Sequence, residues 1–568
     1  MNESWNRVSN WVVAALLGLL VVVCLMSMRF NSPTSDEQNH IARGYHYLVT
    51  GNLDLNVAPP FVNALSAVPL LFHKGIIMPH YDPTHLKTYI TQFAEEFVWV
   101  YNDAETIINS GRLAIIFLST LLGYFVFRWA RDLWGVPAGL LALFLYVLDP
   151  NIVAHSQLVT TDLGVACLIF VTIYFLWRFL RWRRNLDLVL AGVLLGLAQA
   201  TKLSALLLLP IFAAIMLIES FVIRDFTLQG HWPWRMRFSG QWRRAVYFCC
   251  AVLFVLLCLA FLSLWASYRF ETAPLSSKSE HTTVDRLVSH PWLRNVAYRA
   301  VESVQVPFPT YFSGLRWLQR YSERGAPAFL MGSHSRKGWW YYFLVAFVIK
   351  TPIPTLLLLA AAICLTVRNG SAMQKREYIL YVPVVAFFLS TFFSFLNIGY
   401  RHILPVLPFV FVIAGGVIRW GKKRWVQMVL VALLLWYAIG NVCIYPHYLA
   451  YFNEIIGGPD NGYKYLVDSN LDWGQDLKNL KVYMDQKGLE KIYLAYFGNA
   501  HIEYYGIQAL PLPAEKPDNL ETRPSEVYAI SATYLQGGYL GDVDAFSWLR
   551  HYEPFAKIGY SIFLYRLP

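Results

Sequence analysis

The chain has 568 residues, of which 56% are hydrophobic and only 15% charged, and its formal net charge is +11. Soluble domains carry about 25% charged residues, so these proportions, with a mean hydropathy of +0.40, exclude a soluble enzyme, a disordered chain and a fibrous one. A balance this basic fits either nucleic-acid binding or the inner face of a membrane protein, and its location along the chain decides between them.

Apolar runs approaching the about 20 residues that cross a bilayer lie at 11–28, 112–128, 136–148, 163–177, 187–201, 203–222, 246–267, 352–367, 378–396, 403–418 and 425–443. The first is longer than the apolar stretch of a signal peptide and has no small-residue cleavage site before Arg29, so it reads as an uncleaved anchor. With the N-terminus in the cytoplasm, the basic clusters at 128–131, 178–184, 224–244, 368–376 and 419–424 all fall on inner loops, against only Asp132, Asp187, Asp225 and Glu377. The short outer loops hold little basic charge beyond Lys202 and Arg401. This is the positive-inside pattern, and it removes nucleic acid as a partner. The seven cysteines (24, 167, 249, 250, 258, 364 and 443) lie in or beside apolar runs without metal spacing. They read as buried small hydrophobes.

The predicted architecture is an α-helical polytopic membrane protein of about 11 spans. Its membrane domain covers 1–444, with long outer loops at 29–111 and 268–338. An extracytoplasmic α/β domain follows over 445–568. In the first outer loop, Leu86, Ile90, Phe93, Phe97 and Tyr101 recur at helical spacing, as in a helix lying on a membrane surface. Phe61, Leu65, Val68 and Phe72 mark a second helix, started by Pro59-Pro60 and ended or kinked near Pro69. Such helices would roof a site at the membrane face. In the tail, 491–497, 526–531 and 562–565 read as strands, and 476–486 and 545–552 as helical.

Polar groups at membrane depth are costly and mark function by default. Asp36-Glu37 follows the first span: either a helix start capped by Ser35, or a general base for a hydroxyl. Asp162 at the outer end of the fourth span is a helix cap or a second carboxylate. Lys202 either snorkels or contacts phosphate. Arg401-His402 anchors a span end or joins Lys202 in a cationic spot for a phosphate at the membrane surface. Gly338-Trp-Trp-Tyr-Tyr-Phe343 reads as an interfacial aromatic belt. Lys350, before two prolines, snorkels at a broken span entry or faces a cavity.

The Asp36-Glu37 loop, Pro59-Pro60, Thr161-Asp162, Ala200-Thr-Lys202, Trp339-Trp-Tyr341 and Gly399-Tyr-Arg-His402 occur in the order found in polyprenyl-phosphate-dependent glycosyltransferases with the type-C membrane fold. The chain resembles the branch holding the protein O-mannosyltransferases and lipid A aminoarabinose transferases. Tyr445–Asn453 and Asp468–Asp476 resemble a bacterial subgroup whose tail has no assigned role. The resemblance implies an inverting hexosyl- or pentosyltransferase. It would move a sugar from a polyprenyl-phosphate donor to a hydroxyl of a protein, lipid or glycan at the outer face of a bacterial inner membrane. It assigns Asp36, Glu37 and Asp162 to catalysis, and Lys202, Arg401, His402 and Tyr341 to the donor phosphate. Relatives often carry a histidine and a lysine around the Pro-Pro pair where this chain has Ala58 and Asn63, which shifts that work to Lys202 and Arg401. No cofactor is required by the sequence. A divalent cation stays open, because Asp36, Glu37 and Asp162 offer fewer oxygens than the about six a hard cation takes. A lipid-linked-sugar flippase and a non-catalytic scaffold are the competing readings. No internal repeat of the transporter kind supports the former.

Overall fold

The computed structural model describes residues 3–55, 59–80, 86–222, 241–274, 285, 288–368, 376–421, 423–516 and 526–566. Among them, seven helices are long and apolar enough to cross a membrane: Val8–Ser27, Ala104–Trp134, Thr161–Trp182, Leu203–Phe221, Ala245–Ser267, Tyr400–Trp420 and Arg424–Ile444. Two more candidates are broken pairs. Val136–Val147 meets Pro150–Ser156 at 64°, and Tyr342–Lys350 meets Ile353–Arg368 at 110°. Asn185–Gln199 and Tyr378–Thr391 are apolar but shorter. Each apolar run seen in the sequence falls on one of these helices.

Both breaks have a local cause. Asp149 is extended and caps the helix that starts at Pro150, accepting from the Asn151 and Ile152 amides at 2.9 and 3.0 Å. Asp149 is thereby a capping residue. Thr351 is extended before Pro352, as the proline ring requires of its predecessor. The second break lengthens the predicted eighth span backward to Tyr342.

Thr161–Trp182 is the most enclosed span, buried along almost its whole length. Asn185–Gln199 packs tightly against Gln241–Ser267: a Cβ at Gly196 would strike the Ala260 carbonyl and the Ser263 hydroxyl, so a small residue sets that approach. Arg424–Ile444 is peripheral. Its Trp425, Met428, Val431, Leu435, Ile439 and Val442 are all exposed and recur every three or four residues, forming an outward apolar stripe suited to lipid. Cys250, Cys258, Cys364 and Cys443 are likewise exposed. The expectation of buried thiols therefore holds only for Cys24, Cys167 and Cys249.

At the end of the array opposite Asp36, arginines of the predicted inner loops pair with acids. Arg178 meets Asp187 at 3.2 Å, Arg419 meets Glu377 at 2.8 Å, and Arg376 meets the buried Glu219. Arg224, Arg235, Arg237, Lys375 and Lys422 lie outside the described residues.

The first outer loop is helical. Glu37–Thr50 leads, Phe61–Ala67 follows and passes into a 3-10 turn over Val68–Phe72 that contains Pro69. Gly44 lets the two helices touch, since a Cβ there would overlap the Asn63 carbonyl. The buried side of the second helix is Val62, Ser66, Ala67 and Leu70, whereas Val68 and Phe72 of the predicted stripe point outward. Leu86–Glu95 continues as a π turn over Glu96–Val100. Phe93 and Phe97 are buried against other protein side chains rather than turned to a membrane surface, and Tyr101 is exposed.

The tail forms one five-stranded sheet in the order Gln508–Pro511, Lys491–Ala495, Tyr528–Ser531, Ile562–Tyr565, Ala556–Ile558. The first three strands run parallel, and Ile562–Tyr565 is antiparallel to both its neighbours. Leu477–Lys487 is the predicted helix, while 545–552 supplies only a 3-10 turn, Ser547–His551. The sheet does not stand apart from the helices. Residues 448–477 run across the helix ends on the Asp36 side, and the Lys350 side chain is buried there, donating to the carbonyls of Leu449 (2.9 Å) and Asn470. Lys350 therefore faces protein backbone, not a cavity.

Candidate active site

Four of the seven residues singled out in the sequence meet in one cluster. Asp36 sits at the start of Glu37–Thr50, and Asp162 is the second residue of Thr161–Trp182, where the helix N-terminus favours negative charge. Lys202 is extended at the turn between two apolar helices, and Arg401 opens the 3-10 stretch Tyr400–Val406. Lys202 Nζ donates to Asp162 Oδ1 at 2.5 Å. Arg401 Nη1 donates to Asp36 Oδ2 at 2.9 Å and lies 3.8 Å from Asp162 Oδ2. Asp162 is 2% exposed and Asp36 39%. The cluster thus has a closed side at Asp162 and an open side at Asp36.

Glu37 belongs elsewhere. It is fully buried and accepts from Arg112 Nε at 2.9 Å and Nη2 at 2.7 Å. It also accepts from the amides of Thr34 and Val159, at 2.8 and 2.9 Å. Its reach back to Thr34 is half of a capping box, so Thr34, rather than Ser35, shapes the helix start. Arg112 also donates to the carbonyls of Met28, Asn31 and Ser32. The pair pins the exit of the first span and holds Asp36 where it is.

His402 lies beside the cluster, within electrostatic reach of Lys202, Arg401 and Asp162. Its buried Nε2 has no hydrogen-bond partner among the described residues. Tyr341 is not brought in. It is 37% exposed, packs edge-on against Trp340, and makes no described hydrogen bond to the four charged residues. The neighbouring Tyr342 instead turns inward, its hydroxyl accepting from Asn470 Nδ2 at 3.0 Å.

The first outer loop adds groups not foreseen in the sequence. His40 Nδ1 is 2.8 Å from Asn63 Oδ1. Burial and the nearby Arg43 lower its pKa against the pull of Asp36, so the ring is neutral at pH 7. Burial also brings Arg43 down to about 10, with Asp36 opposing, and Arg43 stays cationic. Ala58, the other departure from the family pattern, lies outside the described residues.

The largest omission is the tail segment Asp468–Asp476. The Arg401 guanidinium lies 4.2 Å over the Trp473 ring. The same segment is stitched to the loop before Asp36: Ser35 N donates to Trp473 O (3.2 Å), Ser32 N to Gln475 O (2.9 Å) and Ser32 Oγ to Gly474 O (3.0 Å). It is stitched equally to the Arg401 loop. Tyr400 N donates to Asn470 Oδ1 at 2.8 Å, and Ser469 Oγ to Ile398 O at 2.8 Å. One stretch of tail therefore holds both partners of the Asp36–Arg401 pair. Its Asp-Ser-Asn-Leu-Asp-Trp-Gly-Gln-Asp composition was visible, but nothing in a linear sequence shows what it touches.

Among the described residues no three His, Cys, Asp or Glu side chains gather as a metal site would need. Both carboxylates of the cluster already face cations. The described residues of the cluster do not fit a divalent ion.

The sequence profile of the dolichyl-phosphate-mannose-protein mannosyltransferase family matches residues 104–265. No curated protein matches the chain by sequence. Among solved structures, ArnT from Cupriavidus metallidurans, in the apo state and bound to undecaprenyl phosphate, is 13% identical. Each alignment covers 98% of both chains, with a TM-score of 0.44. The archaeal oligosaccharyltransferase AglB from Archaeoglobus fulgidus, in complex with an inhibitory peptide and a dolichol-phosphate, is also 13% identical. That alignment covers 91% of this chain and 70% of AglB, with a TM-score of 0.44. The chain is a multi-pass membrane protein, and its residues 104–265, which carry Asp162 and Lys202, match the dolichyl-phosphate-mannose-protein mannosyltransferase family.

Proposed function

We propose that this protein is an integral-membrane glycosyltransferase that moves a sugar from a polyprenyl-phosphate donor to an acceptor hydroxyl, with inversion. The observation that carries the reading is the Asp36–Arg401–Asp162–Lys202 cluster, with its two cations beside a half-exposed carboxylate. The acceptor oxygen attacks the anomeric carbon from the face opposite the phosphate. A C–O bond forms, the bond from carbon to phosphate oxygen breaks, and its electron pair leaves with the lipid phosphate. The acceptor proton passes to Asp36. Lys202 and Arg401 stabilise the charge that develops on the leaving phosphate.

The Asp36–Arg401 ion pair couples these events. A carboxylate that takes up a proton no longer neutralises Arg401. The guanidinium is then released electrostatically toward the phosphate as its second charge appears. Asp162 keeps both cations in place while the site is empty of donor. His402, beside them with an unpaired Nε2, is a further phosphate contact. Glu37 acts through Arg112 as a positioning residue.

The positive-inside charge pattern supports an N-terminus in the cytoplasm, with residues 445–568 outside as an extracytoplasmic α/β domain, and the resemblance of Tyr445–Asn453 and Asp468–Asp476 to a bacterial subgroup supports an inner membrane location. The deciding experiment is transfer of labelled sugar from a lipid-linked donor extract by the purified protein in detergent, where no gradient exists. Product formation there excludes a pure flippase. Its absence with every donor and acceptor fraction sinks the enzymatic reading. A periplasmic reporter fused after Pro568 tests the topology.

A further inference from the structure

A cavity of about 250 Å3 lies between the second outer loop, the Asn397-Ile398 turn and the tail. It adjoins the charged cluster. Asn397 and Ile398 immediately precede Gly399-Tyr400-Arg401. Two other wall residues, Asp468 and Tyr539, act electrostatically on Arg401, and Asp468 also bears on Asp36 and its neighbour Tyr321.

Asp468 is the distinctive wall residue. Its backbone is left-handed, with φ of 58°, a region non-glycine residues seldom enter and which concentrates at functional sites. Its side chain is buried and accepts from the Tyr539 hydroxyl at 2.5 Å and from the Ser469 amide. Burial lifts its pKa to about 6, opposed by Arg401 and Tyr539. Around it the wall combines the rings of Phe329 and Tyr539 with Asn397 and a single arginine, Arg336. Aromatic faces that take C–H surfaces, with a carboxylate that accepts hydroxyl protons, are the chemistry that recognises a sugar ring. One arginine is too little for a polyanion. The volume lies below the about 300–1,000 Å3 of drug-sized sites, so it suits one ring more than an extended peptide.

We propose that this cavity is the acceptor subsite and that the acceptor is a saccharide. One ring seats against Phe329 and Tyr539 with a hydroxyl on Asp468, and the hydroxyl to be glycosylated is turned toward Asp36. The proposal rests on the glycosyltransferase reading above.

The test uses the full-length protein in detergent and ligand-observed NMR with maltose, cellobiose, N,N′-diacetylchitobiose and a serine/threonine-rich octapeptide. Two variants address the wall. Asp468→Asn removes the charge. Gly541→Leu fills the cavity, at a position where a Cβ meets nothing within 4 Å and φ is not left-handed. The expected result is binding of at least one disaccharide, weakened about tenfold or more in each variant, as loss of a charged hydrogen bond predicts. Binding of undecaprenyl phosphate should be unchanged in Gly541→Leu and no weaker in Asp468→Asn, because loss of a negative charge near Arg401 does not disfavour a phosphate. No saccharide binding, saccharide binding indifferent to both variants, or peptide binding lost in both variants overturns the proposal. The last outcome would make the cavity a protein-acceptor site. Failure of the underlying reading shows separately, as undecaprenyl phosphate that does not bind the unmodified protein or that binds Lys202→Met and Arg401→Met undiminished.

Discussion

The adjacent carboxylates Asp36 and Glu37 give opposite expectations for the same near-isosteric change. Glu37→Gln keeps the side chain's shape but leaves Arg112, 1% exposed, without a counter-charge. It also turns an amide NH2 toward the N–H groups of Arg112 and of the Thr34 or Val159 backbone, which only donate. Breaking a buried ion pair costs about 3–5 kcal/mol. Arg112 keeps its bonds to the carbonyls of Met28, Asn31 and Ser32, which partly offset the loss, so the low end, about 3 kcal/mol, is expected. Asp36→Asn disturbs a pair whose carboxylate is 39% exposed, so solvent screening holds its stability cost to about 1 kcal/mol or less. Removing the general base should slow transfer by about 10²–10⁴-fold. The two variants are to be compared in one detergent by thermal denaturation and by single-turnover transfer. The reasoning is refuted if Asp36→Asn turns over at the unmodified rate. It is refuted equally if Glu37→Gln is as stable as the parent while inactive, which would exchange the two roles.

Three further outcomes follow from the same geometry. Lys202→Met removes one of two cations facing the leaving phosphate and should lower kcat by about 10²–10³-fold; a change confined to KM would assign Lys202 to ground-state binding. Trp473→Phe retains a smaller ring under Arg401, and Trp473→Ala removes it. Cation–π contacts are worth about 0.5–2 kcal/mol, so transfer should fall in the order parent, Phe, Ala, and equal rates for Phe and Ala would deny the stacking a role. For pH, burial raises Asp472 from 3.8 to about 7 and Asp468 from 3.8 to about 6. The folded protein therefore binds protons there that the unfolded chain has lost. That contribution is full below about pH 4 and is lost as pH rises toward 7. Asp472→Asn should flatten the fall of the denaturation midpoint between about pH 4 and 8, and an unchanged slope would rule out Asp472 as a source.

Much of the fold was legible because a bilayer imposes length and polarity on every span. The apolar runs and their alternating basic loops need no tertiary information. Legibility failed where partners are chosen by three-dimensional contact. The stripe holding Phe93 and Phe97 was expected to lie on a membrane surface, yet both rings are buried within the protein. Glu37 looked equivalent to Asp36 because adjacent helix positions differ only in which face they present. Tyr341 and Tyr342 were separated in the same way, one outward and the other bonded to Asn470. Lys350 was conspicuous in the sequence, but its carbonyl partners lie in the tail.

The sequence by itself determined that this is a multi-pass membrane protein whose net positive charge is carried by one alternating set of short loops, because hydrophobic length and loop charge are local properties. It also marked Asp36, Asp162, Lys202 and Arg401, because charge beside apolar runs is conspicuous in any order. Only the tertiary structure decided that these four converge, that Glu37 is spent on Arg112, and that Asp468–Asp476 straps the Asp36 loop to the Arg401 loop. Those contacts join positions at least 40 residues apart and, between Ser32 and Gly474, 442, and side-chain geometry in a packed interior is a property of the whole chain.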